Sequence, residues 1–139
     1  MSDRKSLIDL GQLPTRNLAE CLAVDQAALV NALTGQLPST LVEHLAASAD
    51  QAQALGLSKK VAAIGLALGK WLEQAPESLR QQVFEQCCTH PSDTVRSWAA
   101  FAQAFLSRSL PAEDALLAQF RLARDEHFGV REWAWIALR

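Results

Sequence analysis

Tyrosine is absent from this sequence of 139 residues, and valine and isoleucine together number only ten. β-Branched and aromatic residues suit strands, so their scarcity argues against a sheet-built domain. Six glycines and five prolines are too few for a collagen-like or low-complexity chain. The cysteines are Cys21, Cys87 and Cys88, an odd number with two adjacent. A vicinal bridge is strained, and this pattern is no disulfide framework. Cys87, Cys88 and His90 lack a second ligand pair at zinc spacing, so no metal site is expected. Long apolar runs are missing too: the longest uncharged one, Val61 to Gly69, falls far short of a membrane span. No apolar stretch of signal-peptide length follows Met-Ser-Asp-Arg-Lys. The expectation is a reduced, cytoplasmic protein with no membrane partner.

A surplus of one charge sign is also lacking. Thirteen basic residues stand against fifteen acidic ones, a formal net charge of −2. Residues 1–75 carry six basic and seven acidic side chains, and residues 76–139 carry seven and eight. No global basic field attracts polyanions, and a nucleic-acid site would have to be a local patch made by folding.

What is abundant is alanine (24) and leucine (22), a third of the chain. Such residues lose little entropy in a helix. Folding a chain of this size buries roughly two-thirds of the surface its unfolded form exposes, enough for one ordinary domain. The predicted fold is all-α.

Turn and cap signals cut the chain into short helices. Asp25 caps a helix through Leu33, with Gly35 placed to end it. Thr40 and Glu43 read as a capping box behind Pro38, opening a helix that stops near Gly56. Ser58 caps Lys59 to Leu72, and Pro76 begins a helix ending near His90-Pro91. Asp93 caps the next through Leu106, Pro111 opens one running to Arg124, and Asp125 leads into a last helix to Arg139. Ahead of Asp25 the reading is one or two short helices, with Thr15 as a cap.

A repeat emerges from this segmentation. Val95-Arg96-Ser97-Trp98-Ala99 returns 35 residues on as Val130-Arg131-Glu132-Trp133-Ala134. Val61-Ala62-Ala63-Ile64-Gly65 is a weaker copy 34 residues before Val95. Helix pairs with this period build α-solenoids, in which each unit buries its apolar face on its neighbours. Val95, Trp98, Ala99 and Ala102 follow helical spacing and form one buried stripe; Val130, Trp133, Ala134 and Ala137 form the next. Gly65 and Gly69, four apart, permit close backbone approach on one face. The chain stops on the apolar Trp135-Ile136-Ala137-Leu138-Arg139 without a polar capping helix. The expectation is a single domain over 1–139 that is either an N-terminal fragment of a longer protein or self-associates through its exposed C-terminal helix.

His90-Pro-Ser-Asp-Thr-Val-Arg-Ser-Trp-Ala and Asp125-Glu-His-Phe-Gly-Val-Arg-Glu-Trp-Ala-Trp-Ile-Ala-Leu-Arg139 resemble the HEAT-like repeats of the bacterial DNA alkylation repair family, the alkylpurine DNA glycosylases of the AlkC and AlkD kind. Phe-Gly-Val-Arg-Glu-Trp-Ala-Trp leans toward AlkC, and Arg4-Lys-Ser-Leu-Ile-Asp-Leu10 is similar to the start of AlkC-like chains. The resemblance covers residues 85–139 well and residues 1–84 vaguely. It implies a right-handed α-α superhelix whose concave surface cradles duplex DNA containing alkylated bases. It also implies hydrolytic release of N3- or N7-alkylated purines without a metal or organic cofactor. Such chemistry needs a carboxylate for the oxocarbenium-like sugar and aromatic faces for the cationic base.

The resemblance carries roles across incompletely. In the AlkD branch a catalytic Asp follows a Trp by four positions; here Ala102 and Ala137 stand there. The acids nearest the aromatic cluster are Glu126 and Glu132, which become the candidate catalytic carboxylates, with Trp133 or Trp135 as the aromatic contact. Arg96, Arg124, Arg131 and Arg139 are the candidate DNA-contacting cations. Each has a bland counterpart. Trp98 and Trp133 lie on the apolar stripe and read first as core, while Trp135 is off it. Arg96 and Arg131 recur at one repeat position and read first as a ladder between units, with Asp93 in helical reach of Arg96. His90 and His127 sit at helix entrances, where capping is the commoner role. His44 reads as an exposed helix residue, and Glu126 as a first-turn acid. A non-enzymatic HEAT-like module that binds protein is the competing function.

Overall fold

The computed structural model describes residues 2–139, and among them the fold is all-helical. Nine helices follow one another: α1 Ser2–Asp9, α2 Leu18–Ala23, α3 Gln26–Ala32, α4 Ser39–Gln51, α5 Leu57–Gln74, α6 Glu77–Cys88, α7 Asp93–Leu106, α8 Ala112–Ala123 and α9 Phe128–Ile136. The last six form three pairs. The first helix of each pair is entered through a proline, Pro38, Pro76 or Pro111, with φ of −53°, −56° and −53°. Proline's fixed φ and missing N–H suit that position. The second and third pairs match at the 35-residue spacing: α6 and α8 are both 12 residues long. Ser92 and His127 cap α7 and α9, each accepting a backbone N–H of the first turn.

Helix α7 is the centre of the molecule. It packs most extensively on α5 along one flank and on α9 along the other, with α6 and α8 also against it. Every residue from Asp93 to Ala100 is buried, polar ones included. Close approach of α5 to α7 rests on its two glycines. A Cβ on Gly65 would lie 2.5 Å from the Cβ of Phe101 and 2.9 Å from the Trp98 carbonyl oxygen. One on Gly69 would lie 3.0 Å from the Phe105 ring. Trp98 fills the space beneath, fully buried, its Nε1–H donating to Gln26 Oε1 at 3.0 Å. On the far flank the buried Gln119 of α8 donates its amide to the carbonyls of Ala100 (3.0 Å) and Ala134 (2.8 Å), joining three helices at one point. The N-terminal segment lies over this core, α1 against α3 and α3 against α4.

Several local expectations need correcting. Thr40 does not form a capping box: it lies inside α4, behind Pro38, and its hydroxyl accepts from Trp71 Nε1 instead. α4 ends at Gln51, short of Gly56, and Gly56 rather than Ser58 is the N-cap of α5. Ser92, one residue before Asp93, caps α7, which leaves the Asp93 carboxylate for a tertiary contact. Asn17 caps α2 in place of Thr15. Asp25 caps α3 as read, through Ala28 N–H, and Gly35 takes a left-handed φ of 85° just beyond that helix. No helix among the described residues is long and apolar enough to cross a membrane.

Candidate functional site at the entrances of α7 and α9

The recurring arginine does the same thing twice. Arg96 Nη1 donates to the carbonyls of His90 (2.7 Å) and Pro91 (3.2 Å), six and five residues back. Arg131 Nη1 donates to those of Asp125 (2.9 Å) and Glu126 (3.0 Å), again six and five back. Each guanidinium thereby ties down the turn that leads into its own helix. Arg96 goes further: Nε and Nη2 grip Asp125 at 3.0 and 3.3 Å, a bidentate pair to the turn that leads into α9. Arg96 is only 7 % exposed, with all three of its nitrogens engaged, so its geometry suits the ladder between units rather than a phosphate. The ladder's acid is Asp125, not Asp93.

Asp93 is taken up by the N-terminal segment. Thr15 donates its backbone N–H to Oδ1 at 2.7 Å and its hydroxyl to Oδ2 at 2.8 Å, both groups buried. His127 Nδ1 accepts from Gly129 N–H at 3.0 Å, which leaves Nε2 as the proton-bearing nitrogen. Nε2 donates to the Thr15 carbonyl at 2.7 Å and lies 3.5 Å from Asp93 Oδ2. Cys21 Sγ stands 3.0 Å from Thr15 Oγ1. Threonine, histidine, aspartate and cysteine together invite comparison with a nucleophilic site, but the protons are wrongly placed for one. The Thr15 hydroxyl proton is committed to Asp93, and neither His127 nitrogen is free to accept it. Burial pushes the Cys21 thiol up, away from the reactive thiolate. The cluster is a latch.

The remaining sequence candidates are spread over α9 and the end of α8. Trp133 is half-buried, its ring centroid 5.9 Å from that of Phe101, and it packs against the core. Trp135 is 44 % exposed. Glu126 and Glu132 are exposed, and Glu132 shares an outward stripe of α9 with Arg131 and Trp135. Arg124 lies over the Phe120 ring at 5.9 Å, and Arg139 is exposed at the last position. The structure therefore groups Arg131, Glu132 and Trp135, sets Glu126 beside them at the helix entrance, and holds Arg96 and Trp133 inside. His44 is exposed; His127 caps α9, and His90 Nδ1 accepts Ser92 N–H at 3.0 Å in the same style. Burial and the Arg96 charge press the His90 imidazole toward its neutral form.

The sequence reading passed over the cluster around Glu20. Arg4 and Arg16 both bind its carboxylate, at 2.8 and 3.0 Å, and hold it down at about 2. With Ile8, Asp9 and Val24 these side chains line an open depression between α1 and α2. The only signal available was the i, i+4 spacing of Arg16 and Glu20, which says nothing of Arg4. Comparison with protein-family models, curated proteins and solved structures finds no match to this chain.

Proposed function

We propose that this protein is a right-handed α-α superhelix of HEAT-like pairs that acts on duplex DNA, as a repair protein of the alkylpurine glycosylase type. One observation carries the reading: the two halves of the resemblance, around Val95-Arg96 and Val130-Arg131, occupy equivalent places in successive helix pairs, with the same arginine fork. Such recurrence supports reading the motif as the unit of a repeat array. Alkylation at N3 or N7 leaves the purine positively charged and its glycosidic bond weak. Water adds to the sugar carbon as that bond breaks, the base leaves neutral, and the water's surplus proton passes to solvent or a carboxylate. An exposed acid beside an aromatic face can steady the cationic sugar and orient the water. We assign that part to the exposed Glu126 or Glu132, with the exposed Trp135 or the half-buried Trp133 as the aromatic contact, and phosphate contact to the exposed Arg124, Arg131 and Arg139.

Release of 3-methyladenine or 7-methylguanine from methylated duplex DNA, at low salt with protein in excess, tests this. Glu126→Gln or Glu132→Gln should abolish release while leaving DNA affinity nearly intact. Full activity in both variants removes these acids from the chemistry.

A second reading, a protein-binding module without catalysis, draws on a separate observation. Arg96 and Trp133, two of the resemblance's distinctive side chains, are used inside the fold. Absence of both base release and salt-dependent DNA binding would select it.

A further inference from the structure

Phe128, Arg131, Glu132 and Trp135 stand on one exposed stripe of α9, at i, i+3, i+4 and i+7. Phe128 and Trp135 are 43 % and 44 % exposed. Their counterparts 35 positions earlier are Asp93, Arg96, Ser97 and Ala100, every one buried. That side of α7 is where the following pair arrives: Arg96 takes Asp125, and the Ala100 carbonyl takes the Gln119 amide. The equivalent side of α9 is open.

Arg131 is already posed for such an arrival. Its Nη1 holds the carbonyls of Asp125 and Glu126 as Arg96 holds those of His90 and Pro91. Among the described residues, no carboxylate takes its Nε and Nη2, the edge with which Arg96 grips Asp125. We propose that the outer face of α9 is a stacking surface for one further helix pair, entered through an aspartate that takes the free edge of Arg131.

The chemistry of the stripe suits this occupant: the two flanking rings ask for apolar cover, and the open edge of Arg131 asks for a carboxylate. On α8, Phe120 stands where α6 has Glu85, the acceptor of Arg121. A pair stacking here meets a ring at that point, so it presents an apolar side chain in place of an arginine. Stacking covers Glu132 and Trp135 and leaves Glu126 at the surface, as its counterpart Pro91 is. The inference rests on the repeat geometry and not on the DNA reading; of the two candidate acids it leaves only Glu126 open to DNA, so loss of base release in Glu132→Gln but not in Glu126→Gln would count against it.

The probe is a second copy of residues 105–139 joined after Arg139, carrying Arg121→Leu so that it meets Phe120 with an apolar side chain; it brings Asp125 round again at the repeat spacing. In the extended chain the Arg131 Nε–Hε proton should shift downfield in NMR and exchange with solvent more than tenfold more slowly than in the native chain. Arg131→Gln should lower the unfolding midpoint more in the extended chain than in the native one. Asp125→Asn in the appended copy alone should erase that difference. An unchanged Arg131 signal with the appended segment helical, or an equal effect of Arg131→Gln in both chains, overturns the proposal. Should the extended chain not fold, a peptide of residues 107–139 with the same Arg121→Leu change, titrated into the native chain, serves: a saturable Arg131 Nε–Hε shift, lost with Asp125→Asn in the peptide, supports stacking, and no shift overturns it. A native dimer dispersed by Trp135→Glu would give this face to a second copy and also overturn it.

Discussion

Asp93 and Thr15 lie 78 positions apart and are joined by two hydrogen bonds, one to each carboxylate oxygen, at 2.7 and 2.8 Å. The pair fastens the N-terminal segment to the start of α7, and His127 completes the fastening from the start of α9.

Removing the carboxylate strands the buried Thr15 donors. Asp93→Ala should cost about 3 kcal/mol of stability, since a buried charged acceptor leaves its partners unsatisfied. Thr15→Val, which keeps the backbone bond, should cost less, about 1–2 kcal/mol. Urea denaturation of the two variants checks the order. If Thr15→Val proves the costlier, the carboxylate is not what holds the segment.

Gly65 is where α5 comes closest to α7. A methyl group there meets the Phe101 Cβ and the Trp98 carbonyl, both carried directly by the α7 backbone and unable to swing aside. Gly65→Ala should therefore destabilise by about 2–3 kcal/mol, although alanine is ordinarily the better helix former. Gly56→Ala, with open space around it, is the comparison: it meets no neighbour and loses only a favourable N-cap residue, so it should cost about 1 kcal/mol or less.

Glu20 gives a pH signature. Its carboxyl is drawn from the ordinary 4.5 to about 2, first by its hydrogen bonds to Arg4 and then by those to Arg16. A depressed folded value means that its contribution is present above the ordinary carboxyl range and is lost as pH falls through about 2. Carbon-13 NMR of the Glu20 side chain should titrate near 2 in the native chain. In Arg4→Gln, the midpoint should return upward toward 4.5.

Cys87 and Cys88 are buried, and burial pushes both thiols up to about 12. Neither should react with a thiol reagent at pH 8 until the chain unfolds, while the half-buried Cys21 should react slowly in the native state. Labelling before and after urea, read by mass spectrometry, gives the count. Rapid native labelling of Cys87 would contradict the packing of α6.

Much of the architecture was legible because it lies in periodicity. The apolar stripe of α7, the glycines of α5 and the prolines before α6 and α8 all act through local spacing, which a single sequence displays. Cap identities slipped by one residue at Ser92 and Asp93, since both can accept a first-turn N–H and the choice was made by Thr15, far away in the chain. The same long reach hid the true partner of Arg96. Asp93 was the acid within helical reach, but Asp125, 29 residues on, is the one the fold delivers. At the candidate site, the outward direction of Trp135 was readable from its offset to the stripe. The pinning of Arg131 by two backbone carbonyls was not, because carbonyl positions leave no mark on composition or spacing.

The complete burial of α7 from Asp93 to Ala100 also determines how the molecule comes apart. In an array whose units touch only their neighbours, an end can fray while the remainder holds. Here the middle helix carries contacts from α5, α6, α8 and α9 together, and from Thr15 and Gln26 in the N-terminal segment. Its amide protons can meet solvent only when nearly everything else has let go. In hydrogen exchange, α7 should set the ceiling of protection for the whole chain, with α9 yielding well before it. The opening of α7 is then the same event as global unfolding.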